Sequence, residues 1–62
     1  MEIITIKITR PDFVTYNTSF TDVKIRRDKD GVTIYKNNCS GLLCAYYPEG
    51  WAVEVTKVEI ID

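Results

Sequence analysis

Lys24, Arg26, Arg27, Lys29 and Lys36 fall within one short stretch of the chain, and Tyr35 stands among them. Cations interleaved with an aromatic ring suit single-stranded nucleic acids, because the cations neutralise phosphates and the ring offers a π-face on which a base can stack. Lys24, Arg26, Tyr35 and Lys36 are the candidates for such contacts. Asp22, Asp28 and Asp30 interrupt the same stretch and offset its charge. Lysine on an edge strand is also ordinary protection against strand-to-strand aggregation. A solvated strand face is therefore the stronger reading of this cluster, and nucleic-acid or nucleotide binding is the alternative.

Other chemistry is excluded more firmly. The chain has no histidine, so neither a Ser/His/Asp nor a Cys/His constellation can be assembled, and no Gly-rich phosphate loop is present. Asp28, Asp30 and Glu49 sit among turn residues, where a structural role is expected. A structural zinc site takes four Cys or His ligands, and Cys39 and Cys44 alone cannot supply them. The expectation is a non-enzymatic protein with no catalytic, cofactor or metal site. Met1 is not followed by a basic region and an apolar run, and no stretch approaches membrane-spanning length. Those features suggest a cytoplasmic protein that does not engage a membrane, with reduced thiols and Cys44 serving as a small buried hydrophobe.

A third group of residues suggests protein contacts. Leu42–Ile60 holds most of the large apolar side chains and is interrupted by Tyr47-Pro48-Glu49-Gly50-Trp51. Pro48 presets φ for the first corner of a turn and Gly50 can take the left-handed position after it. A β-hairpin with that loop sets Tyr47 opposite Trp51, Ala45 opposite Val53 and Leu43 opposite Val55, a uniformly apolar face that reads as core. Leu42, Cys44 and Tyr46 share the other, half-apolar face. After Val55 the apolar positions switch from odd to even, at Val58 and Ile60, so a bulge or bend is expected near Thr56-Lys57. Leu42, Cys44, Tyr46, Val58 and Ile60 are thus the candidates for a protein interface.

Short strands must position these groups. Glu2–Thr9 alternates Ile4, Ile6 and Ile8 against Thr5, Lys7 and Thr9, as a half-buried strand does. Pro11 ends it. Residues 13–19 suggest a long loop with apolar anchors, with a short edge strand through Phe13, Val14 and Tyr16 as the alternative. Phe20–Arg27 and Val32–Lys36 read as two strands joined by a four-residue loop, which sets Ile25 against Ile34 and Arg27 against Val32. That register leaves Lys24 opposite Tyr35 and Arg26 opposite Thr33 on the outer face. The end of the last strand is expected to pair with the first strand, closing a barrel, or with the same strand of a second subunit.

Residues 1–62 are therefore expected to form one small all-β domain. Its strands would build a five-stranded, mainly antiparallel barrel or curled meander, of the SH3-like or a similar small-barrel kind. No residue motif of a known family stands in the chain. A chain this short buries only about 60% of the surface its unfolded form exposes, so oligomerisation would supplement its stability. The leading functional expectation is a binding or accessory protein acting through protein contacts, as a homodimer.

Overall fold

The computed structural model describes residues 1–37 and 42–62. Its strands are β1 (Glu2–Thr9), β2 (Thr15–Thr21), β3 (Val23–Asp28), β4 (Gly31–Lys36), β5 (Leu43–Pro48) and β6 (Ala52–Ile60). All pairings are antiparallel. They build two three-stranded sheets, ordered β2-β1-β6 and β3-β4-β5. The all-β expectation holds. The count of five does not, and two separate sheets stand where a closed barrel was expected.

One core joins the sheets. Ile6 and Ile8 of β1, Val23 of β3, Val32 and Ile34 of β4, Tyr47 of β5 and Val53 of β6 are buried together, with Ile4, Phe20, Ile25, Ala45 and Trp51 packed around them. β1 and β4 are the middle strands of their sheets, and they carry the side chains with no exposed surface: Ile6, Ile8 and Ile34.

Two corners carry the chain from one sheet to the other, and both correct the reading of the sequence. Phe20–Arg27 is not one strand, because Asp22 takes a positive φ of 51° and divides it. Aspartate tolerates that conformation better than most residues. Here its carboxylate Oδ1 also accepts the Glu2 amide at 2.9 Å. Its own amide donates to the Glu2 carbonyl at 2.8 Å, and its carbonyl accepts the Asn37 amide at 2.9 Å. A single residue thus ties β1 to the end of β4.

The second corner is Pro48–Trp51. Gly50 has a φ of 97°, and the Trp51 amide donates to the Pro48 carbonyl at 3.2 Å, so the turn forms where its residues indicate. It does not close a hairpin. β5 pairs with β4 and β6 pairs with β1, because turn chemistry sets the local backbone and leaves the choice of partner strand to burial. Beside β1, β6 brings Val53 into the same core as Ile6 and Ile8.

None of the expected hairpin pairs forms, since β5 and β6 lie in different sheets, and the core assignment fails for two of the residues. Ala45, Tyr47 and Val53 do face the core, whereas Leu43 and Val55 are exposed. A register shift between Ile34 and Tyr35 inserts Cys44 as an extra residue and sets Leu43 opposite Tyr35. Cys44 is exposed rather than buried. Cys39 lies outside the described residues.

Residues 13–19 are not a long loop. Thr15–Thr21 forms an edge strand whose hydroxyls pair across to β1, Ser19 with Thr5 at 3.0 Å and Thr15 with Thr9 at 3.4 Å. Its Asn, Thr and Ser residues resemble a turn by composition, but β-branched threonines suit a pleated edge. The loop proper is Arg10–Val14, closed by the Arg10 amide on the Val14 carbonyl at 2.8 Å, with Phe13 at a φ of 67°.

Other expectations hold in detail. β3 and β4 adopt the four-residue-loop register, with Ile25 opposite Ile34 and Lys24 opposite Tyr35. The bulge in the last strand is present as well. Thr5 pairs with Lys57 and Ile6 with Val55, so Thr56 is the extra residue, and its Oγ1 donates to the Thr5 carbonyl at 3.3 Å.

Candidate binding face

Alternation along β3, β4 and β5 sends one set of side chains to the core and the other to solvent. The outer set forms two rows across the sheet: Lys24, Tyr35 and Leu43 in one, and Arg26, Thr33 and Tyr46 in the other. Between them lies an open groove of about 350 Å³ lined by Arg26, Thr33, Tyr35 and Leu43. Lys24, Arg26, Leu43 and Tyr46 are exposed, while Tyr35 is half-buried.

Two candidate sets that the sequence kept apart meet on this face. Lys24, Arg26 and Tyr35 came from the basic stretch, and Tyr46 came from the half-apolar face of the expected hairpin. β4 brings them together because it pairs with β3 on one side and β5 on the other. Leu42, which precedes β5, and Cys44 within it are also exposed.

Lys36 does not join the face. It lies opposite Val23, on the inward parity, and its Nζ donates to the Thr21 carbonyl at 2.9 Å. Thr33 and Leu43 are the groove residues outside the candidate sets; sequence reasoning places Thr33 on the outer face and Leu43 in the core. The signal that hid it was the extra residue at Cys44, which reverses the alternation that had placed Leu43 in the core.

The electrostatics of the face are mild. Arg26 Nε lies 3.7 Å from Asp28 Oδ2, so one of its two cations has an acidic neighbour, and exposed pairs of this kind contribute at most about 1 kcal/mol. Lys24 forms no ion pair among the described residues. The Tyr46 hydroxyl donates to the Asp30 carbonyl at 2.7 Å, which anchors its ring against the β3–β4 turn. That turn is itself held by the Asp30 amide on Asp28 Oδ1 at 2.9 Å.

Tyr47 is the residue whose acidity is clearly perturbed, and it lies in the core rather than on this face. Burial raises its pKa above the ordinary tyrosine value, with a smaller contribution from Tyr16. Its ring meets Trp51 at 6.1 Å between centroids, and the Arg10 guanidinium lies 5.9 Å from the centre of the Trp51 ring. No group of three or more His, Cys, Asp or Glu side chains that could hold a metal ion occurs among the described residues.

The remaining interface candidates lie elsewhere. Val58 and Ile60 follow the bulge on β6, opposite Ile4 and Glu2 respectively, and are 54% and 73% exposed. Among the described residues no helix is long and apolar enough to cross a membrane. Compared with models of protein families, with curated proteins and with solved structures, the chain matches none.

Proposed function

We propose that this chain is a non-enzymatic binding protein that acts through protein contacts, as a homodimer, with the outer face of β3-β4-β5 as its partner surface. The observation that carries this reading is the convergence of Arg26, Thr33, Tyr35 and Leu43 around one groove, with Tyr46 opposite Thr33 on the next strand. Tyrosine and arginine are enriched among the side chains that dominate interface energetics. An aliphatic side chain on the partner fits between Tyr35 and Leu43, and a carboxylate beside it meets Lys24 and Arg26. The exposed Cys44 thiol suits a reducing compartment, so we place the protein in the cytoplasm.

Partner capture from the native host tests this, with matched baits. A partner retained by the native chain should be lost with both Leu43→Asp and Arg26→Glu and kept with an Asn17→Glu control, an exposed position on the opposite sheet away from β6. Retention by both face variants would overturn the assignment.

Nucleic-acid binding is the second reading, favoured by Lys24 standing beside Tyr35 in one cross-strand row. It is weakened by Lys36, whose ammonium is occupied by Thr21, and by Asp28 beside Arg26. Fluorescence anisotropy with single-stranded oligonucleotides across a salt series separates the readings. Phosphate contacts require affinity that falls steeply with salt.

A further inference from the structure

β6 is an edge strand, and its second half has hydrogen-bonding groups that the fold leaves unused. The Ile61 amide donates to the Met1 carbonyl at 2.8 Å, and the Met1 ammonium donates to the Ile61 carbonyl at 3.0 Å. Met1 and Ile61 are therefore a hydrogen-bonded pair. Hydrogen-bonded and non-bonded pairs alternate along an antiparallel ladder. Glu59 and Lys57, opposite Ile3 and Thr5, thus direct their peptide groups to β1. Ile60 and Val58, opposite Glu2 and Ile4, direct theirs to the free edge. Glu2 agrees with this phase, since its amide and carbonyl are both engaged by Asp22 on the side away from β6.

Nearer the start of β6 the same edge is already occupied: Arg27 Nη2 donates to the Val53 carbonyl at 2.9 Å. Beyond the bulge, no strand among the described residues pairs with it. Such an edge is a template for another strand unless something blunts it. It contains no proline, and its one lysine, Lys57, is followed two residues later by Glu59 on the same face. Those two side chains lie 3.9 Å apart.

That charge spacing selects the occupant. Two copies of β6 can meet antiparallel about a two-fold axis through one residue. An axis midway between residues would set an outward-facing peptide against an inward-facing one. Through Lys57 the axis opposes two lysines, through Glu59 it opposes two glutamates, and through Ile60 it sets Glu59 against Ile61 and Val58 against Asp62, with no pair of opposite charges. Through Val58 it sets Lys57 against Glu59 of the second copy and Glu59 against Lys57, while the two Val58 residues exchange their free amide–carbonyl bonds. Opposite charges directly across a ladder stabilise it and like charges oppose it. In the same register Ile60 lies against Thr56 of the second copy, and the apolar row of Ile4, Val58 and Ile60 continues into the neighbouring sheet.

We infer that the occupant of this edge is a second copy of the chain, joined β6 to β6 in antiparallel register about Val58, giving one continuous six-stranded sheet. This rests on the reading of the protein as a homodimer and adds the seam and its register. It leaves the outer face of β3-β4-β5 free for a partner.

Sedimentation equilibrium with charge variants tests it. Lys57→Glu and Glu59→Lys each put like charges opposite one another at both ends of the seam, and each should weaken self-association roughly ten-fold or more. The double variant carrying both substitutions should recover the native association. So should an equimolar mixture of the two single variants, because the all-acidic seam of one then meets the all-basic seam of the other. Both side chains are largely exposed, so the monomer fold is retained, as far-ultraviolet circular dichroism will verify. A native chain that stays monomeric at high micromolar concentration overturns both the homodimer and the seam. A dimer indifferent to the single variants, or a mixture that associates no better than its components, overturns the seam and its register while leaving the homodimer standing.

Discussion

β1 and β6 lie side by side in one sheet, and both alternate branched aliphatic residues with polar ones, yet they have opposite fates. Ile6 and Ile8 of β1 have no exposed surface, while Val58 and Ile60 of β6 are more than half exposed. The difference comes from neighbours. β1 has a strand on each side and the β3-β4-β5 sheet above its middle, whereas the second half of β6 has β1 on one side and nothing on the other among the described residues. Alternation reports which face of a strand is apolar. It does not report what covers that face.

The largest test of this contrast is truncation. Ile8→Ala in β1 should lower the unfolding free energy by about 2 to 5 kcal/mol, the usual range for emptying a packed site. Ile60→Ala, measured at a concentration where the chain is monomeric, should cost no more than about 0.5 kcal/mol, as surface changes do. Urea unfolding of the two variants makes the comparison, and equal losses would break it.

A smaller effect is expected where the two halves of β6 meet different partners. Arg27 holds the Val53 carbonyl, so the first half of the strand is fixed at its outer edge while the second is not. Arg27→Met keeps most of the aliphatic stem and removes the bond. It should destabilise the fold by about 1 kcal/mol, and hydrogen exchange should rise around Val53 rather than around Val58.

The covered half has a pH dependence of its own. Tyr47, which packs with Val53 in the core, has a raised pKa because burial disfavours its charged form. An acid whose folded pKa lies above its unfolded one contributes nothing adverse while both states are protonated. It lowers stability as pH rises past the unfolded value near 10 towards the folded one, because the unfolded state ionises first. Thermal unfolding should therefore show stability falling above about pH 10, and Tyr47→Phe should remove part of that fall.

The smallest expected effect is at the bulge. Thr56→Val preserves the branched shape and removes the 3.3 Å bond to the Thr5 carbonyl, so it should cost under about 0.5 kcal/mol in unfolding measurements.

Much of the architecture was legible because local rules agreed with it. The β3–β4 register follows from keeping Lys24 and Arg26 off the core face. The bulge at Thr56 follows from the change in phase between Val55 and Val58. The same change in phase takes the strand end away from a hairpin partner and leaves β1 as the first of two candidates, and β1 is the strand it pairs with. Two features were hidden for physical reasons. Asp22 breaks an apparently continuous strand through hydrogen bonds to Glu2 and Asn37, which are remote in sequence and leave no local trace. The turn at Pro48–Trp51 has hairpin chemistry, yet the strands it joins lie in different sheets, because a turn sets the local backbone and not the partner of each strand. The candidate face was half legible for the same reason. Lys24, Arg26, Tyr35 and Tyr46 could be named, but only the β4–β5 pairing and the extra residue at Cys44 bring Leu43 among them.

Amide hydrogen exchange along β6, followed as protein concentration is raised, tests the account of this edge most directly. The Lys57 and Glu59 amides point to β1 and should be protected at every concentration. The Val58 and Ile60 amides point outward and should exchange freely in dilute solution, then gain protection together as the chain associates. Val58 and Ile60 amides that stay unprotected in concentrated solution, or that are as protected as their neighbours in dilute solution, would contradict the account.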